Sequence, residues 1–169
     1  QCRSNQLTSL PNLPSTITDL DCEYNQLTVL LALPPLLEEL NCSFNQLSAL
    51  PILPNSITAL ICADNQLTNL PLIPSALTYL NCRINSLTTL PPLPSSLNIL
   101  FCNDNQLNSL PILPLGLTVL YCHNNNISCF PVFPPIPFSY LTPSTPFSNF
   151  NILPNPITCL PNYIPAMDD

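Results

Sequence analysis

Cysteine recurs every twenty residues, at positions 2, 22, 42, 62, 82, 102 and 122. Around each lies one frame, legible in Leu77-Thr-Tyr-Leu80-Asn-Cys82-Arg-Ile-Asn85-Ser-Leu87-Thr-Thr-Leu90-Pro-Pro-Leu93-Pro94. Asn returns at 5, 25, 45, 65, 85, 105 and 125, and Pro at 14, 34, 54, 74, 94, 114 and 134. A period this strict restricts the chain to a stack of like units, each burying its apolar face against the next. One twenty-residue unit cannot offset its own ordering entropy by burial, so the array must fold cooperatively and be elongated.

Within each unit, apolar residues two apart in L-x-x-L-x-C point inward, as a short strand requires. The Asn that follows suits a tight turn in which its side chain bonds nearby backbone. Both prolines then fall on an extended arc that needs no strand N–H donors, and the composition leaves no room for helices there. Eight strands at ~4.8 Å would make a sheet about 35–40 Å along its axis.

The frame L-x-x-L-x-C-x-x-N-x-L-x-x-L-P-x-L-P resembles the leucine-rich repeat, with cysteine in place of its third leucine, over nearly the whole chain. Its L-P-x-L-P half is similar to the bacterial subfamily with very short repeats found in secreted type III effectors. The wording N-Q-L-T-x-L-P, with N-P-I-T-C-L-P-N-Y near the end, is similar to long surface proteins of flavobacterium-type bacteria. The resemblance implies a leucine-rich-repeat solenoid: short parallel strands on the concave face, extended polyproline-like convex segments, and few or no helices.

Residues 1–134 read as seven repeats, the first incomplete. The period fails after Pro134 and resumes at Phe147-Ser-Asn-Phe150-Asn-Ile152-Leu-Pro-Asn155, shifted by ten residues. Residues 135–161 therefore read as an atypical eighth repeat and C-terminal cap, with Ile152 expected in the cysteine position and a longer convex excursion around Pro135–Pro146. Terminal repeats are expected to be atypical because one face lacks a neighbour. Residues 162–169 would then be a tail or linker. The chain opens at Gln1 in mid-repeat and carries no signal peptide, which reads as a piece of a longer or processed protein.

Charge excludes some partners. The chain has no Lys, its only cations are Arg3 and Arg83, and its formal net charge is −7. Neither phosphate neutralisation nor a polybasic lipid anchor is available, so nucleic acid is excluded as a partner. The longest apolar run, Val29 to Leu37, is broken by Pro34 and Pro35, so direct membrane insertion is not expected.

Two cysteine populations separate. Cys2, Cys22, Cys42, Cys62, Cys82, Cys102 and Cys122 could be metal ligands, a redox relay or small buried hydrophobes. Parallel side chains in register converge on no metal and meet poorly for disulfides, which favours a buried ladder of free thiols. Cys129 and Cys159 share an outlying frame position in consecutive units, so stacking brings them together. The pair is a disulfide candidate that would staple the cap and imply an oxidising compartment; the alternative is two unrelated thiols.

No catalytic constellation, metal site or cofactor site emerges. His123, the single histidine, follows Cys122, but alternation sends the two side chains to opposite faces, leaving a solvated His. Asp19, Asp21 and Glu23 share a face with Glu38 and Glu39 nearby; set in line on a rigid strand, they read as an acidic patch rather than a cation loop. A phosphate-cradling glycine loop is excluded, since Gly116 is the only glycine.

Outward strand positions form three columns. The first runs Asp19, Glu39, Ala59, Tyr79, Ile99, Val119, and the second Asp21, Asn41, Ile61, Asn81, Phe101, Tyr121. The third runs Arg3, Glu23, Ser43, Ala63, Arg83, Asn103, His123. Early strands are acidic, whereas later ones present Tyr79, Ile99, Phe101, Val119 and Tyr121 beside Arg83 and His123. An exposed aromatic and branched cluster marks an interaction surface; such residues also simply suit strands. The reading that follows is a non-catalytic protein-recognition or adhesion module, extracellular or on a bacterial cell surface. Its alternatives are a targeting domain of a secreted effector, a structural spacer, and a glycan-binding module using Tyr79, Phe101 and Tyr121.

Overall fold

Each repeat places one leucine, flanked by two outward residues, in a three-residue strand, and the strands stack in chain order. The computed structural model describes residues 1–132 and 150–159. Its strands are β1 (Asp19–Asp21), β2 (Glu39–Asn41), β3 (Ala59–Ile61), β4 (Tyr79–Asn81), β5 (Ile99–Phe101), β6 (Val119–Tyr121) and β7 (Phe150–Asn151). They form one parallel sheet in sequence order, and from β1 to β6 each residue pairs with the one twenty positions on. Seven strands, not eight, appear among the described residues. The first repeat supplies only Gln1 ahead of Cys2, so it adds ladder bonds without a strand: Cys2 N donates to Asp21 O at 2.8 Å and Ser4 N to Glu23 O at 2.8 Å.

The core is a set of parallel apolar columns. Leu40, Leu60, Leu80 and Leu100 stack beside Cys42, Cys62, Cys82 and Cys102, and Leu47 to Leu107 form the next column, all buried. Among the described residues the convex arc has no helix. The second proline of each arc does more than extend it. Pro34 O accepts from Leu37 N at 3.2 Å, and Pro54, Pro74, Pro94 and Pro114 repeat the bond, so each proline opens the turn that feeds the next strand.

The asparagines tie repeats together. Asn45 Nδ2 donates to the carbonyls of Cys22 (3.1 Å), Cys42 (3.1 Å) and Ser43 (3.0 Å), while its Oδ1 accepts from Leu27 N at 2.9 Å. The residue ahead of each ladder asparagine has positive φ: Ser4, Tyr24, Phe44, Asp64, Ile84, Asp104 and Asn124. The left-handed turn carries the amide back under the strand end, at a cost of roughly 1–2 kcal/mol for a residue with a Cβ.

At the C-terminal end, β7 pairs with β6 through Leu120↔Phe150 and Tyr121↔Asn151. That register puts Ile152 level with Cys122, and Asn155 Nδ2 donates to the carbonyls of Cys122 (2.9 Å) and Ile152 (2.6 Å) as a ladder asparagine does. A disulfide joins Cys129 to Cys159, with Cα atoms 4.7 Å apart. The excursion at Pro135–Pro146, the boundaries near 134 and 161, and the tail at 162–169 lie outside the described residues.

Candidate functional site

The outward columns put the late-strand residues side by side. Tyr79 pairs with Ile99 and Ile99 with Val119, while Phe101 pairs with Tyr121 in the next column. The rings continue each other diagonally. Tyr79 and Phe101 have centroids 5.9 Å apart, tilted 60°, and Phe101 and Tyr121 are 5.0 Å apart, tilted 38°. His123 closes the run edge-on to Tyr121, at 6.2 Å and 70°. All are half-buried, so the strip is seated in the sheet face and presents edges as well as faces.

A polar rim borders the strip. Asp104 accepts from Asn103 Nδ2 at 2.6 Å and from Asn124 Nδ2 at 2.7 Å, and its Oδ2 lies 3.9 Å from His123 Nε2. Partial desolvation pushes its carboxyl up, but the two amide bonds and the charges of His123 and Arg83 outweigh it and hold the group below the usual carboxylate range. His123 is less solvated than alternation implies: its Nδ1 is enclosed without a hydrogen-bond partner. Cys122 is fully buried beneath it, so the adjacent Cys and His do not meet. Arg83 is exposed in the third column, and its charge acts on Asp104.

The third column is not an open surface throughout. Ser43, Ala63 and Asn103 are 2%, 2% and 7% exposed. The chain is already turning inward there toward the left-handed residue, so small side chains at this position are enclosed by the turn. The acidic group is also more dispersed than its sequence clustering suggests. Glu23 is drawn into an ion pair with Arg3 (3.1 Å) and accepts from Asn41 Nδ2 at 3.2 Å. Asp21 Oδ1 accepts from Glu23 N at 3.1 Å, and Asp19 accepts from Thr18 Oγ1 at 2.6 Å. Glu39 pairs with Asp19 in the first column, whereas Glu38 stands one position before β2, at the place Thr18 and Thr58 hold in their repeats. Among the described residues, no group of three or more His, Cys, Asp or Glu could hold a metal ion.

Sequence reasoning missed a second aromatic feature. Tyr24 and Phe44 stack in parallel, centroids 4.2 Å apart and 9° between planes, with the Arg3 guanidinium 5.9 Å from the Tyr24 ring centre. Both occupy the left-handed position, outside the strand alternation used to define the columns. The available signal was two aromatics twenty residues apart immediately before a ladder asparagine.

The thiol ladder runs beneath these faces. Burial pushes the Cys22 and Cys82 thiols up to about 12 and raises those of Cys42, Cys62, Cys102 and Cys122 as well. Protonated, enclosed thiols are neither nucleophiles nor metal ligands at neutral pH.

Parallel three-residue strands, extended arcs and an asparagine ladder together decide the architecture. The fold is a leucine-rich-repeat solenoid. The leucine-rich effector protein YopM from Yersinia pestis has a TM-score of 0.74 and 38% identity over 76% of this chain and 38% of its own. YopM from Yersinia enterocolitica WA-314 has a TM-score of 0.58 and 29% identity over 91% of this chain and 41% of its own. The leucine-rich-repeat domain of a Shigella effector has a TM-score of 0.69 and 38% identity over 83% of this chain and 62% of that one. The chain thus spans less than two thirds of each of these leucine-rich-repeat structures. No family model matches it, and a comparison with curated proteins finds no match.

Proposed function

We propose that the chain is a protein-recognition module of a secreted or cell-surface bacterial protein, binding through the C-terminal half of its concave face. The observation that carries this reading is the continuous run Tyr79–Phe101–Tyr121–His123, flanked by Ile99 and Val119 and rimmed by Asp104 and Arg83. An apolar, aromatic centre inside a polar rim is the anatomy of a protein interface hot spot. Tilts of 60° and 38° break the rings into ridges that suit interdigitating side chains and deny a flat platform to a sugar ring. The uniform parallel stack of the described repeats favours a scaffold over an enzyme.

A second reading, the targeting domain of a secreted effector, is favoured by the likeness to Yersinia and Shigella effectors. Both readings use the same face. Flanking sequence separates them: a sorting domain downstream favours the surface protein, a ligase-like helical domain the effector.

Affinity capture from the native membrane and secreted fractions, comparing wild type with Phe101→Glu and Tyr121→Glu, tests the site. The expected result is a partner retained by wild type and lost by both variants at unchanged far-UV signal. A partner retained by both variants moves the site off this face, and glycan-array binding abolished by the same variants replaces a protein ligand with a sugar.

A further inference from the structure

The convex arc carries an apolar stripe that neither the core nor the concave site uses. The variable position of L-P-x-L-P is filled by Asn12, Ala32, Ile52, Leu72, Pro92, Ile112 and Val132, all exposed. Ile52, Leu72 and Ile112 are 88%, 82% and 85% exposed, near the limit for a folded chain. Residues twenty apart lie in adjacent repeats, so these side chains form one line of six steps, about 29 Å long at ~4.8 Å each. Solenoid packing does not require bulky aliphatics here, since Asn and Ala occupy the same position in the first two repeats.

The two ends of the line differ in bulk. The small end at Asn12 and Ala32 borders an open hollow of about 440 Å³ lined by Leu10, Leu13, Leu30, Leu31 and Leu33. The large end carries Ile112 and Val132, with Leu115 also 80% exposed. We infer that this stripe is a two-fold interface between two copies of the chain, packed back to back and antiparallel with the axis at Leu72. In that arrangement Ile112 of one copy enters the hollow beside Ala32 of the other, Val132 covers Asn12, Ile52 meets Pro92, and Leu72 meets itself. Away from the axis each large residue faces a small or flat one, only Leu72 meets its own copy, and the match closes on itself, as an isologous interface requires.

Charge placement permits the contact. The arcs 10–16, 30–36, 50–56, 70–76, 90–96 and 110–116 contain no charged residue, so two chains of net charge −7 meet where neither carries charge. A lipid surface fits less well, because the stripe has neither the cations nor the aromatic anchors of interfacial segments. Six extended arc residues at ~3.1 Å give a width of roughly 19 Å. The footprint, roughly 550 Å² per copy, sits at the small end of specific interfaces, so dissociation in the micromolar range is expected. Two concave faces then point away from each other, making the assembly bivalent.

Sedimentation equilibrium of the full chain from about 1 to 300 µM, spanning that micromolar range, tests the assembly. Wild type is expected to pass from monomer to dimer, and Ala32→Glu and Ile112→Glu, both surface changes, to stay monomeric with native circular dichroism. With a short bis-maleimide, Leu72→Cys is expected to cross-link to its copy and Ile52→Cys, which faces Pro92, not to. Three outcomes overturn the proposal: a wild type monomeric throughout, a dimer that survives both glutamates, or equal cross-linking of the two cysteine variants. Stripe-dependent binding of monomer to phosphatidylcholine vesicles overturns it in favour of a membrane.

Discussion

A buried asparagine such as Asn125 does four things at once. Its Nδ2 donates to the carbonyls of Cys102 (3.0 Å), Cys122 (2.9 Å) and His123 (3.2 Å), and its Oδ1 accepts from Leu107 N at 2.9 Å. Two adjacent repeats are joined by one side chain, at a depth where water cannot replace the lost partner. Asn125→Ala is therefore expected to cost about 2–4 kcal/mol, since it leaves buried carbonyls and an amide unpaired. Asn125→Asp, isosteric but without a donor, should recover little of that loss. Urea unfolding of the three proteins measures it, and an aspartate variant as stable as wild type would show that the donors contribute nothing. The asparagine itself was legible because it recurs in every repeat. The left-handed residue before it was not: Ser, Tyr, Phe, Asp, Ile and Asn all occupy that position. No side-chain preference marks a conformation imposed by the turn and offset by the amide's bonds.

At the scale of the element, the cap differs from every other repeat in how it is held. Its backbone contacts include Cys122 N to Asn151 O at 2.8 Å, Asn124 N to Pro154 O at 2.9 Å and Phe130 N to Cys159 O at 3.1 Å, with the Cys129–Cys159 bridge outside them. The bridge closes a loop with a sequence separation of 30. In the chain-entropy model such a closure is worth about 3.5 kcal/mol. Breaking it with Cys129→Ser, or by reduction, is expected to loosen the cap alone. Amide exchange should quicken at Cys122 and Asn124, whose acceptors lie in β7 and just beyond it, and stay slow at Cys62 and Asp64, whose acceptors are Asn81 and Arg83. Exchange that quickens equally at all four sites would mean that the array melts as one unit, with no separable cap. Stacking of equivalent frame positions made the pairing readable, because a solenoid converts sequence period into spatial adjacency.

For the whole molecule, the thiol ladder links stability to pH. Cys22, Cys42, Cys62, Cys82, Cys102 and Cys122 are fully buried, and burial raises all six thiols, to about 12 at Cys22 and Cys82. In the unfolded chain they titrate near ~8.5. A raised folded value means that the native state holds its protons longer. Their contribution is thus complete below about pH 8.5 and is lost as pH rises toward the folded values. At pH 10 each thiol withdraws about 2 kcal/mol, so six together approach the whole stability of an ordinary domain. A cooperative loss of far-UV signal near about pH 10 is expected, with Cys82→Val shifting the midpoint upward. A native signal persisting to about pH 12 would mean that the ladder thiols titrate no differently on folding.

Period, fold and outward columns were readable from the chain, because each depends on a local pattern repeated in register and stacking supplies the third dimension. The concave residues could be named for the same reason: alternation decides which way a strand residue points. Only the tertiary structure decided how those side chains meet. The tilts among Tyr79, Phe101 and Tyr121, the enclosure of Ser43, Ala63 and Asn103, and the capture of Glu23 by Arg3 all involve neighbouring repeats. So does the hollow beside Ala32, which two successive repeats line and no single repeat contains. A repeat frame specifies where each Cβ starts; contacts between side chains of different size, one repeat apart, determine the surface a partner meets.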